Sequence, residues 1–347
     1  MRPSLRRCIQ QIQRAPPAFV FDIDGVLIRG PTVIPAARRA LAMCEGDNPF
    51  NRKLPYILLT NGGGVSEQQR SAKLTQQLGF KIEPEQYIQA HTILKTRVQQ
   101  YRDAPVLVLG GKLDGLRQVA HEYGFKKIFN TLDVLAWNPA VWPFHQLNSA
   151  EKAATHPTNF TQTPISAVFV YHDPRNWALD IQVLCDVILS EGRIGGPHVP
   201  IDQQKSPVEL IFCNPDLLWK SDFPVNRLGQ GAFKAAFQGV FKALTGAEYP
   251  HVQVGKPSEA TYEFAAKVLH QRIEQLDGPH APSRRIYMVG DNPESDIAGA
   301  NAAHWESILV RTGVFEAGTT PRHRPTHEVE DVEEAVQWAI HRELAIR

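Results

Sequence analysis

The feature that most constrains the fold is a short apolar run, Phe19–Leu27, which contains two carboxylates one residue apart. The apolar residues predict a buried strand, and Gly25 allows the chain to turn sharply at its end. Unpaired carboxylates are costly to remove from water, so Asp22 and Asp24 predict a bound cation, and their oxygen atoms suit Mg²⁺. A carboxylate beside Mg²⁺ can attack phosphorus and become an aspartyl phosphate. The alternative is an ordinary strand end with two solvated acids.

Three later stretches each place a polar or charged side chain at the end of a predicted strand or before a predicted helix. They are Tyr56–Asn61, which ends in a hydroxyl and an amide, Val254–Ser258, which holds one lysine, and Ile286–Asn292, which ends in an acid and an amide. Ligands of parallel α/β sheets bind beside the carboxyl ends of the strands. Thr60, Asn61 and Lys256 are therefore expected near the first two acids. Asp291 is expected there too, and Asp296 follows it by five residues.

In chain order the motifs read DxDG, TN, K and GDxxxxD, and this set resembles the haloacid dehalogenase (HAD) superfamily of phosphotransferases. Within that superfamily the second acid, Asp24, points to phosphatase or mutase chemistry. Dehalogenation needs neither a metal nor an acid for a phosphate leaving group, and transport ATPases have threonine at this position. Phosphatase activity is the commoner of the two outcomes.

The resemblance implies a role for each motif around a phosphate group. Asp22 would attack phosphorus, while Asp24 would protonate the leaving group and then activate water, a contribution of roughly 10²–10⁴-fold. Mg²⁺ would be held by the Asp22 carboxylate, the Asp24 backbone carbonyl and Asp291. Thr60 and the amide of Asn61 would hold the phosphoryl oxygens.

Other residues are expected to support this site. Lys256 would offset the charge of the phosphoryl oxygens, and Asp296 would brace Lys256 or Asp291 rather than bind metal directly. Asn214 and Asp216 follow a later strand, where they either cap the turn or face the active site from the hinge between domains. The supporting set comprises Gly25, Asn292, Asp296, Asn214 and Asp216.

Longer segments narrow the resemblance to the branch of class IIA HAD proteins that is named for the cat eye syndrome critical region. The segments are Thr60–Gly64, Asp173–Trp177 with Gln182 and Asp186, Phe212–Asp216, Arg227–Phe233 and Gly255–Ser258. The resemblance covers about residues 18–340. It implies a Rossmann-like core, a class IIA cap, Mg²⁺ and mitochondrial residence. It implies no settled substrate, although a link to glycerophospholipid metabolism has been suggested for the branch.

The loop after Asn61 departs from the better-known class IIA phosphatases, which have a serine-containing loop at this point. Here the chain has Gly62, Gly63 and Gly64. Three glycines are expected to give a more mobile loop that donates no side-chain hydrogen bonds. The sugar, nucleotide or pyridoxal specificities of those enzymes are therefore not expected to carry over.

The length of the chain, 347 residues, predicts two domains. Alternating strands and helices with short connections predict an α/β fold with a parallel sheet. We expect a Rossmann-like HAD catalytic core over 18–84 and 215–347, interrupted by an α/β class IIA cap over 85–214. Residues 137–164 are rich in Trp, Pro, Asn, Thr and His without periodicity, which predicts a long loop. Class IIA caps often pair, so a homodimer through the cap is a further expectation.

Composition excludes several classes of protein. The chain is 43% hydrophobic with a formal net charge of +1, which is typical of a soluble globular protein and favours no nucleic-acid partner. No apolar run approaches the ~18 residues that a membrane-spanning helix needs. The four cysteines form no CxxC pair and are far apart, which is typical of reduced thiols rather than of disulfides or a zinc site.

The first 17 residues form a basic segment. Arg2, Arg6, Arg7 and Arg14 precede the first acid of the chain, and apolar residues fall on one helical face. An arginine-rich, acid-free amphipathic segment is the pattern of a mitochondrial presequence. The alternative is a short basic lead into the first strand, with the protein in the cytoplasm.

These observations predict a Mg²⁺-dependent phosphomonoesterase that acts on a small phosphorylated metabolite through an aspartyl phosphate. Within enzymes, the alternative is phosphoryl transfer to an acceptor other than water. From another class, the alternative is a non-catalytic HAD scaffold that uses the cap for protein contacts. Asp22, Asp24, Lys256 and Asp291 argue against the scaffold, because a disused site has no physical reason to keep four costly charges.

Overall fold

The computed structural model describes residues 15–219, 221, 223–315 and 318–345. The basic segment 1–17 lies almost entirely outside these residues, so its role as a presequence stays a prediction. None of the helices in the described ranges combines the length and the apolar character that crossing a bilayer would require.

Strands and helices alternate along most of the chain. The strands are β1 (Ala18–Phe21), β2 (Ile28–Arg29), β3 (Thr32–Val33), β4 (Tyr56–Leu59), β5 (Tyr87–Ile88), β6 (Pro105–Leu109), β7 (Lys127–Phe129), β8 (Ala167–Val170), β9 (Glu209–Phe212), β10 (Leu218–Trp219), β11 (Arg227–Leu228), β12 (Val252–Gln253), β13 (Ile286–Gly290), β14 (Glu306–Val310) and β15 (His327–Val329). The helices are α1 (Pro35–Cys44), α2 (Glu67–Leu78), α3 (Val98–Tyr101), α4 (Gly115–Tyr123), α5 (Thr131–Trp137), α6 (Ser149–Ala153), α7 (Trp177–Leu189), α8 (Gln230–Thr245), α9 (Glu259–Asp277), α10 (Ala298–Ala302) and α11 (Val332–Ala345).

In the described part of the chain, six parallel strands form the first sheet in the order β15-β14-β13-β1-β4-β5. All four residues of β1 are buried, as expected for a strand that is covered on both faces. One face packs with α1 and α11, and the other packs with α9 and α10. The strands that precede the DxDG, TN and GDxxxxD motifs are neighbours, so their carboxyl ends meet at one edge.

A second parallel sheet has the order β12-β9-β8-β6-β7 among the described residues. Its two faces carry separate apolar cores, one with helices α5, α7 and α8 and the other with α4. Two parallel sheets flanked by helices confirm the predicted α/β fold class.

The predicted domain boundaries, 85–214 for the cap and 215–347 for the returning core, need correction. Val252 pairs with Ile211 in the second sheet, so β12 joins the cap strands rather than the core. The phenylalanines of α8 also pack into the core of the second sheet. At the other boundary, Tyr87 pairs with Leu58 of the first sheet, so residues 87–88 belong there. In each case, the sheet to which a strand belongs is decided by the strand with which it pairs and not by its position in the chain.

Two local predictions are wrong. Residues 137–164 are not one loop, because they contain α6, whose N-cap Asn148 accepts a hydrogen bond from the Glu151 N–H. The apolar spacing of residues 229–245 predicts a helix with Val240 and Leu244 facing inward, but in α8 these side chains are 43% and 64% exposed.

Candidate active site

A buried ion pair between Asp22 and Lys256 lies at the carboxyl end of β1. Lys256 Nζ is 2.6 Å from Asp22 Oδ1 and 2.7 Å from Asp296 Oδ1. Burial alone would lower the pKa of Lys256, but these two carboxylates raise it well above its ordinary value. Burial raises the pKa of Asp22, and Lys256 opposes that change. The lysine therefore keeps its positive charge beside the predicted nucleophile.

Asp296 braces both Lys256 and the backbone after β13. Its Oδ1 contacts Lys256, while its Oδ2 accepts hydrogen bonds from the N–H groups of Asp291 and Asn292 at 3.1 and 3.0 Å. The Asn292 side chain in turn accepts a hydrogen bond from the Glu294 N–H at 3.0 Å, which caps the following helical turn. Both Asp296 oxygens are therefore engaged within the protein.

Asp291 is held between two glycines. Its Oδ2 accepts a hydrogen bond from the Val314 N–H at 2.7 Å. A Cβ added to Gly313 would lie 1.7 Å from Asp291 Oδ2, and one added to Gly25 would lie 2.4 Å from it. Gly25 also has φ +92°, so it makes the predicted turn after the strand and allows the close approach of Asp291.

One group of acids in the described ranges is close enough to share a metal ion. The ligand oxygens of Asp22, Asp291 and Asp296 all lie within 4.8 Å of one another. Burial, together with the Asp22 and Asp296 carboxylates, raises the pKa of Asp291 well above its ordinary value. A divalent cation would relieve this repulsion, and carboxylate oxygens are the ligands that Mg²⁺ prefers. Since Asp296 is already engaged, Asp22 and Asp291 are the two carboxylates that fit Mg²⁺.

The Asp24 carboxylate lies in the same cavity as Asp22 but, unlike it, is exposed. Partial removal from bulk water raises the pKa of Asp24, while Arg70 and Lys256 oppose that change. A carboxyl group with a raised pKa holds its proton at higher pH, which suits a general acid.

Thr60 and Asn61 lie at the end of β4, as predicted, but the Asn61 side chain has a different task. Its Oδ1 accepts a hydrogen bond from the Lys256 N–H at 2.7 Å, and its Nδ2 donates to Lys256 O and to Asp216 Oδ2, both at 3.0 Å. The side-chain amide therefore positions Lys256, and only the backbone N–H of Asn61 is left for a phosphoryl oxygen. Thr60 Oγ1 accepts a hydrogen bond from the Gly62 N–H at 2.9 Å and keeps its own proton to donate.

Asn214 and Asp216 both line the cavity, and Asn214 also caps the turn. Asn214 Oδ1 accepts a hydrogen bond from the Asp216 N–H at 2.7 Å, so Asn214 caps the turn. Asp216 points toward Asn61 and lines the cavity. Burial raises the pKa of Asp216 to about 7, with smaller opposing effects from Lys256 and Asn61.

The triple-glycine loop is closely packed, contrary to the expectation of a mobile loop. A Cβ added to Gly63 would lie 2.9 Å from His91, and one added to Gly64 would lie 2.3 Å from His172. Gly64 also has φ +102°, which disfavours other residues. His172 follows β8 of the second sheet. Because Gly63 and Gly64 have no side chain, the two sheets can approach each other beside the site.

A cavity of about 510 Å³ joins these residues and contains several that the sequence reasoning missed. Arg70, Lys73 and Arg175 supply positive charge at its wall. Arg70 and Lys73 are three residues apart on α2, and that spacing, directly after the glycine loop, would have placed both on one face. Arg175 lies in the segment Asp173–Trp177 that carries the family resemblance, but the irregular pattern of that segment gave it no role.

The fold and site together define a HAD-type phosphatase with a second α/β domain. The carboxyl edge of a parallel sheet carries the Asp-x-Asp pair, a buried lysine and a further acid cluster, which is the arrangement that phosphoryl transfer through an aspartate requires.

The chain belongs to the haloacid dehalogenase-like hydrolases. Residues 19–126 match the profile described as haloacid dehalogenase-like hydrolase, and residues 253–335 match the one described as HAD-hydrolase-like. A mitochondrial hydrolase of Saccharomyces cerevisiae is 36% identical over 339 residues, which cover 92% of this chain and 94% of the yeast protein. These matches confirm the family resemblance.

A second relative is the cardiolipin synthase (CMP-forming) / mitochondrial hydrolase fusion protein of Schizosaccharomyces pombe. It is 39% identical over 324 residues, which cover 93% of this chain and 53% of the fusion protein, so the chain spans about half of its length. Two relatives named mitochondrial hydrolases support the predicted mitochondrial location.

Among solved structures, the glycerol phosphate phosphatase of Mycobacterium tuberculosis in complex with magnesium has a similar fold. The TM-score is 0.58 at 20% sequence identity, over 94% of this chain and 77% of that one. Identity at this level establishes the shared fold alone.

Proposed function

We propose that this protein is a Mg²⁺-dependent phosphomonoester hydrolase that acts through an aspartyl phosphate on Asp22. The observation that carries the proposal is the position of the Asp22 carboxylate. It lies 2.6 Å from the buried Lys256 ammonium and within 4.8 Å of Asp291, at the base of a cavity that Asp24 also lines. An anionic nucleophile can approach an anionic phosphate only where positive charge offsets both.

The reaction proceeds in two displacements. In the first, an Asp22 oxygen forms a bond to phosphorus as the bond to the leaving oxygen breaks, and Asp24 gives its proton to that oxygen. In the second, Asp24 takes a proton from water, which attacks the same phosphorus and releases inorganic phosphate and free Asp22. The raised pKa of Asp24 favours the protonated form that begins this sequence.

The phosphoryl oxygens are held by three donors from two parts of the chain. Thr60 Oγ1, the Asn61 backbone N–H and Lys256 Nζ all lie at the same cavity, and each donates to an oxygen that gains charge in the transition state. Mg²⁺, held by Asp22, Asp291 and the backbone carbonyl of Asp24, would neutralise charge on the nucleophile and on the phosphate.

The second domain acts as a cap that selects a small phosphorylated metabolite, and the caps of two copies pair in a homodimer. Two comparisons support a link to glycerophospholipid metabolism. The Schizosaccharomyces pombe relative is fused to a cardiolipin synthase, and the Mycobacterium tuberculosis structure is of a glycerol phosphate phosphatase.

The test is hydrolysis of a generic aryl phosphate with and without Mg²⁺. We expect metal-dependent turnover that falls by about 10³-fold or more in Asp22→Asn, because the substitution removes the nucleophile but keeps the shape of the side chain. Asp202→Asn is the matched control, since Asp202 is exposed in the second domain and touches no site residue. Inorganic phosphate released in equal amount to the aryl alcohol distinguishes hydrolysis from transfer to another acceptor.

Turnover without metal, or an Asp22→Asn variant as active as the wild type, would refute the mechanism. If the wild type neither turns over aryl phosphate nor binds beryllium fluoride in the presence of Mg²⁺, the non-catalytic scaffold becomes the better account.

A further inference from the structure

An apolar hairpin lies at the edge of the catalytic cavity, and the structure describes its residues 217–219, 221 and 223–228. It is formed by β10 and β11, which pair antiparallel with Leu218 opposite Leu228. In the described part of the chain, six of the eleven exposed large apolar side chains lie in this hairpin, with exposures of 41% to 59%. They are Leu217, Leu218, Trp219, Phe223, Val225 and Leu228. Single exposed apolar residues are ordinary, but a contiguous group of this kind indicates a binding surface.

Hydrogen bonds hold the base of the hairpin in place. Trp219 Nε1 donates a hydrogen bond to Leu228 O at 3.2 Å across the hairpin, and the Gly229 N–H donates to Leu217 O at 2.9 Å. The Gly231 N–H donates to Asp216 O at 2.9 Å, which ties the base of the hairpin to the site. The fold therefore holds Leu217, Trp219 and Leu228 in water on a hydrogen-bonded backbone.

The hairpin is continuous with the catalytic cavity. Leu218 and Trp219 form part of the cavity wall. On its other side, Leu217 and Leu218 line an adjoining cavity of about 640 Å³. The remaining apolar wall of this second cavity is made by Pro215, Pro257, Pro293, Val314, Phe315 and Pro321. An apolar surface thus leads from solvent to the place where a phosphate would react.

Besides its five aspartates and Lys256, the same cavity holds three cationic side chains. Arg70, Lys73 and Arg175 line it, and none of them forms a salt bridge within the described ranges. On the hairpin, the Arg227 guanidinium lies 4.7 Å from the centre of the Phe223 ring, which leaves both groups at the surface. Apolar side chains beside unpaired cations are complementary to the hydrocarbon and the anionic headgroups of a lipid surface.

We propose that the apolar hairpin inserts into an anionic lipid surface and that the substrate is a phosphomonoester of a lipid alcohol. The substrate class rests on the proposed phosphatase function and replaces the small metabolite given there by a phosphomonoester with acyl chains, whereas the lipid surface rests on the hairpin and the cations beside it. A folded partner on the hairpin would cover the cavity that Leu218 and Trp219 line. A bilayer with those side chains in its interfacial layer would instead present a phosphate headgroup to the cavity. Tryptophan and leucine at the water boundary suit this position.

The binding test uses vesicles of phosphatidylcholine that contain phosphatidic acid, a lipid whose headgroup is a phosphomonoester. We expect wild type to bind them and the double variant Phe223→Asp with Val225→Asp to bind at least about tenfold more weakly, because two inserted apolar side chains are lost. Both positions are more than half exposed, so the fold should tolerate the change. Phe144→Asp is the matched control, since Phe144 is 83% exposed and lines neither cavity.

The activity test compares phosphatidic acid in vesicles with glycerol phosphate, which has a similar headgroup without acyl chains. We expect the ratio of the two kcat/KM values to fall at least about tenfold in the double variant and to stay at the wild-type value in Phe144→Asp. Aryl phosphate turnover in every protein reports on the phosphatase function separately.

The outcomes are distinguishable. Turnover of aryl phosphate without vesicle binding would overturn this inference and leave the phosphatase intact. Vesicle binding that depends on the hairpin, without any phosphatase activity, would support the lipid surface and overturn the substrate class. A dimer that dissociates in the double variant, with vesicle binding unchanged, would show that a second copy of the chain covers the hairpin and would overturn the inference.

Discussion

The space around Asp291 is set by backbone atoms of two glycines. Gly25 and Gly313 approach its carboxylate so closely that neither position has room for a methyl group. The Val314 N–H then fixes one of its oxygens at 2.7 Å. The geometry of the metal ligands therefore depends on residues that have no side chain of their own.

Gly313→Ala is predicted to weaken Mg²⁺ binding. Because the added Cβ would lie 1.7 Å from Asp291 Oδ2, the carboxylate must leave its present position. We expect the Mg²⁺ concentration for half-maximal aryl phosphate turnover to rise about tenfold or more. Metal affinity usually falls by this much when a residue that orients a metal ligand is changed. Gly239→Ala in α8 is the control, because an added Cβ there meets no atom within 4 Å. An unchanged metal requirement in Gly313→Ala would contradict the assignment of Asp291.

Residue types and spacing were sufficient to gather Asp22, Lys256 and Asp291 at one sheet edge. The hydrogen bonds of Asn61 were not predictable in the same way. Its side chain holds the backbone of Lys256, 195 residues away in the chain, and no local pattern reports on such a contact. The glycine loop was misjudged for a similar reason, since one of its packing partners, His172, follows a strand of the other sheet.

Among the elements, α7 and α5 meet through a buried carboxyl group. Asp180 of α7 is 5% exposed, and its Oδ1 accepts a hydrogen bond from Thr131 Oγ1 at 2.7 Å. Burial raises the pKa of Asp180 from 3.8 to about 6, although the hydrogen bond opposes the change. The folded protein therefore binds this proton more tightly than the unfolded chain, and the stability contributed by Asp180 falls as pH rises from about 4 to about 6.

Asp180→Asn is predicted to stabilise the protein at neutral pH. The amide stays neutral and its oxygen can still accept the Thr131 hydrogen bond. We expect the free energy of unfolding to rise by about 1–3 kcal/mol at pH 7.5 and by much less at pH 4.5, on the scale of 1.36 kcal/mol per pKa unit. Denaturant unfolding at both pH values measures this, with Asp202→Asn as the exposed control. A gain that is equal at the two pH values would rule out ionisation as its cause.

Long elements with clear signals were predicted well, and short ones were not. Ser66, with Gln69 three residues later, predicts a helix that runs to about Leu78, and α2 has this cap and this end. The strand β12 has only two residues, which is too short for any periodicity to show. The apolar pattern of α8 alone predicts that Val240 and Leu244 are buried, but both are exposed. Their burial depends on which other elements cover their side of the helix, and the pattern does not report on that.

At the scale of the whole molecule, the chain leaves the first sheet after β5 and completes the second sheet at β12. Lys256 follows β12 directly, so the cation of the active site is supplied where the chain returns to the first sheet. Asn61 holds this return point through two hydrogen bonds to the Lys256 backbone, and Asp216 accepts a hydrogen bond from Asn61. The order of the motifs predicted in outline that a second domain is inserted between the first acids and Lys256, because these residues are far apart in the chain.

The central claim is that Asp22 itself carries the phosphoryl group. The most direct measurement is mass spectrometry of the Asp24→Asn variant after brief reaction with an aryl phosphate and Mg²⁺. An aryl leaving group needs little protonation, whereas hydrolysis of the aspartyl phosphate needs Asp24 as a base, so the intermediate should accumulate. We predict one phosphoryl group on the peptide that contains Asp22, released together with a burst of aryl alcohol. A phosphoryl group on another residue, or continued turnover with none on Asp22, would contradict the account.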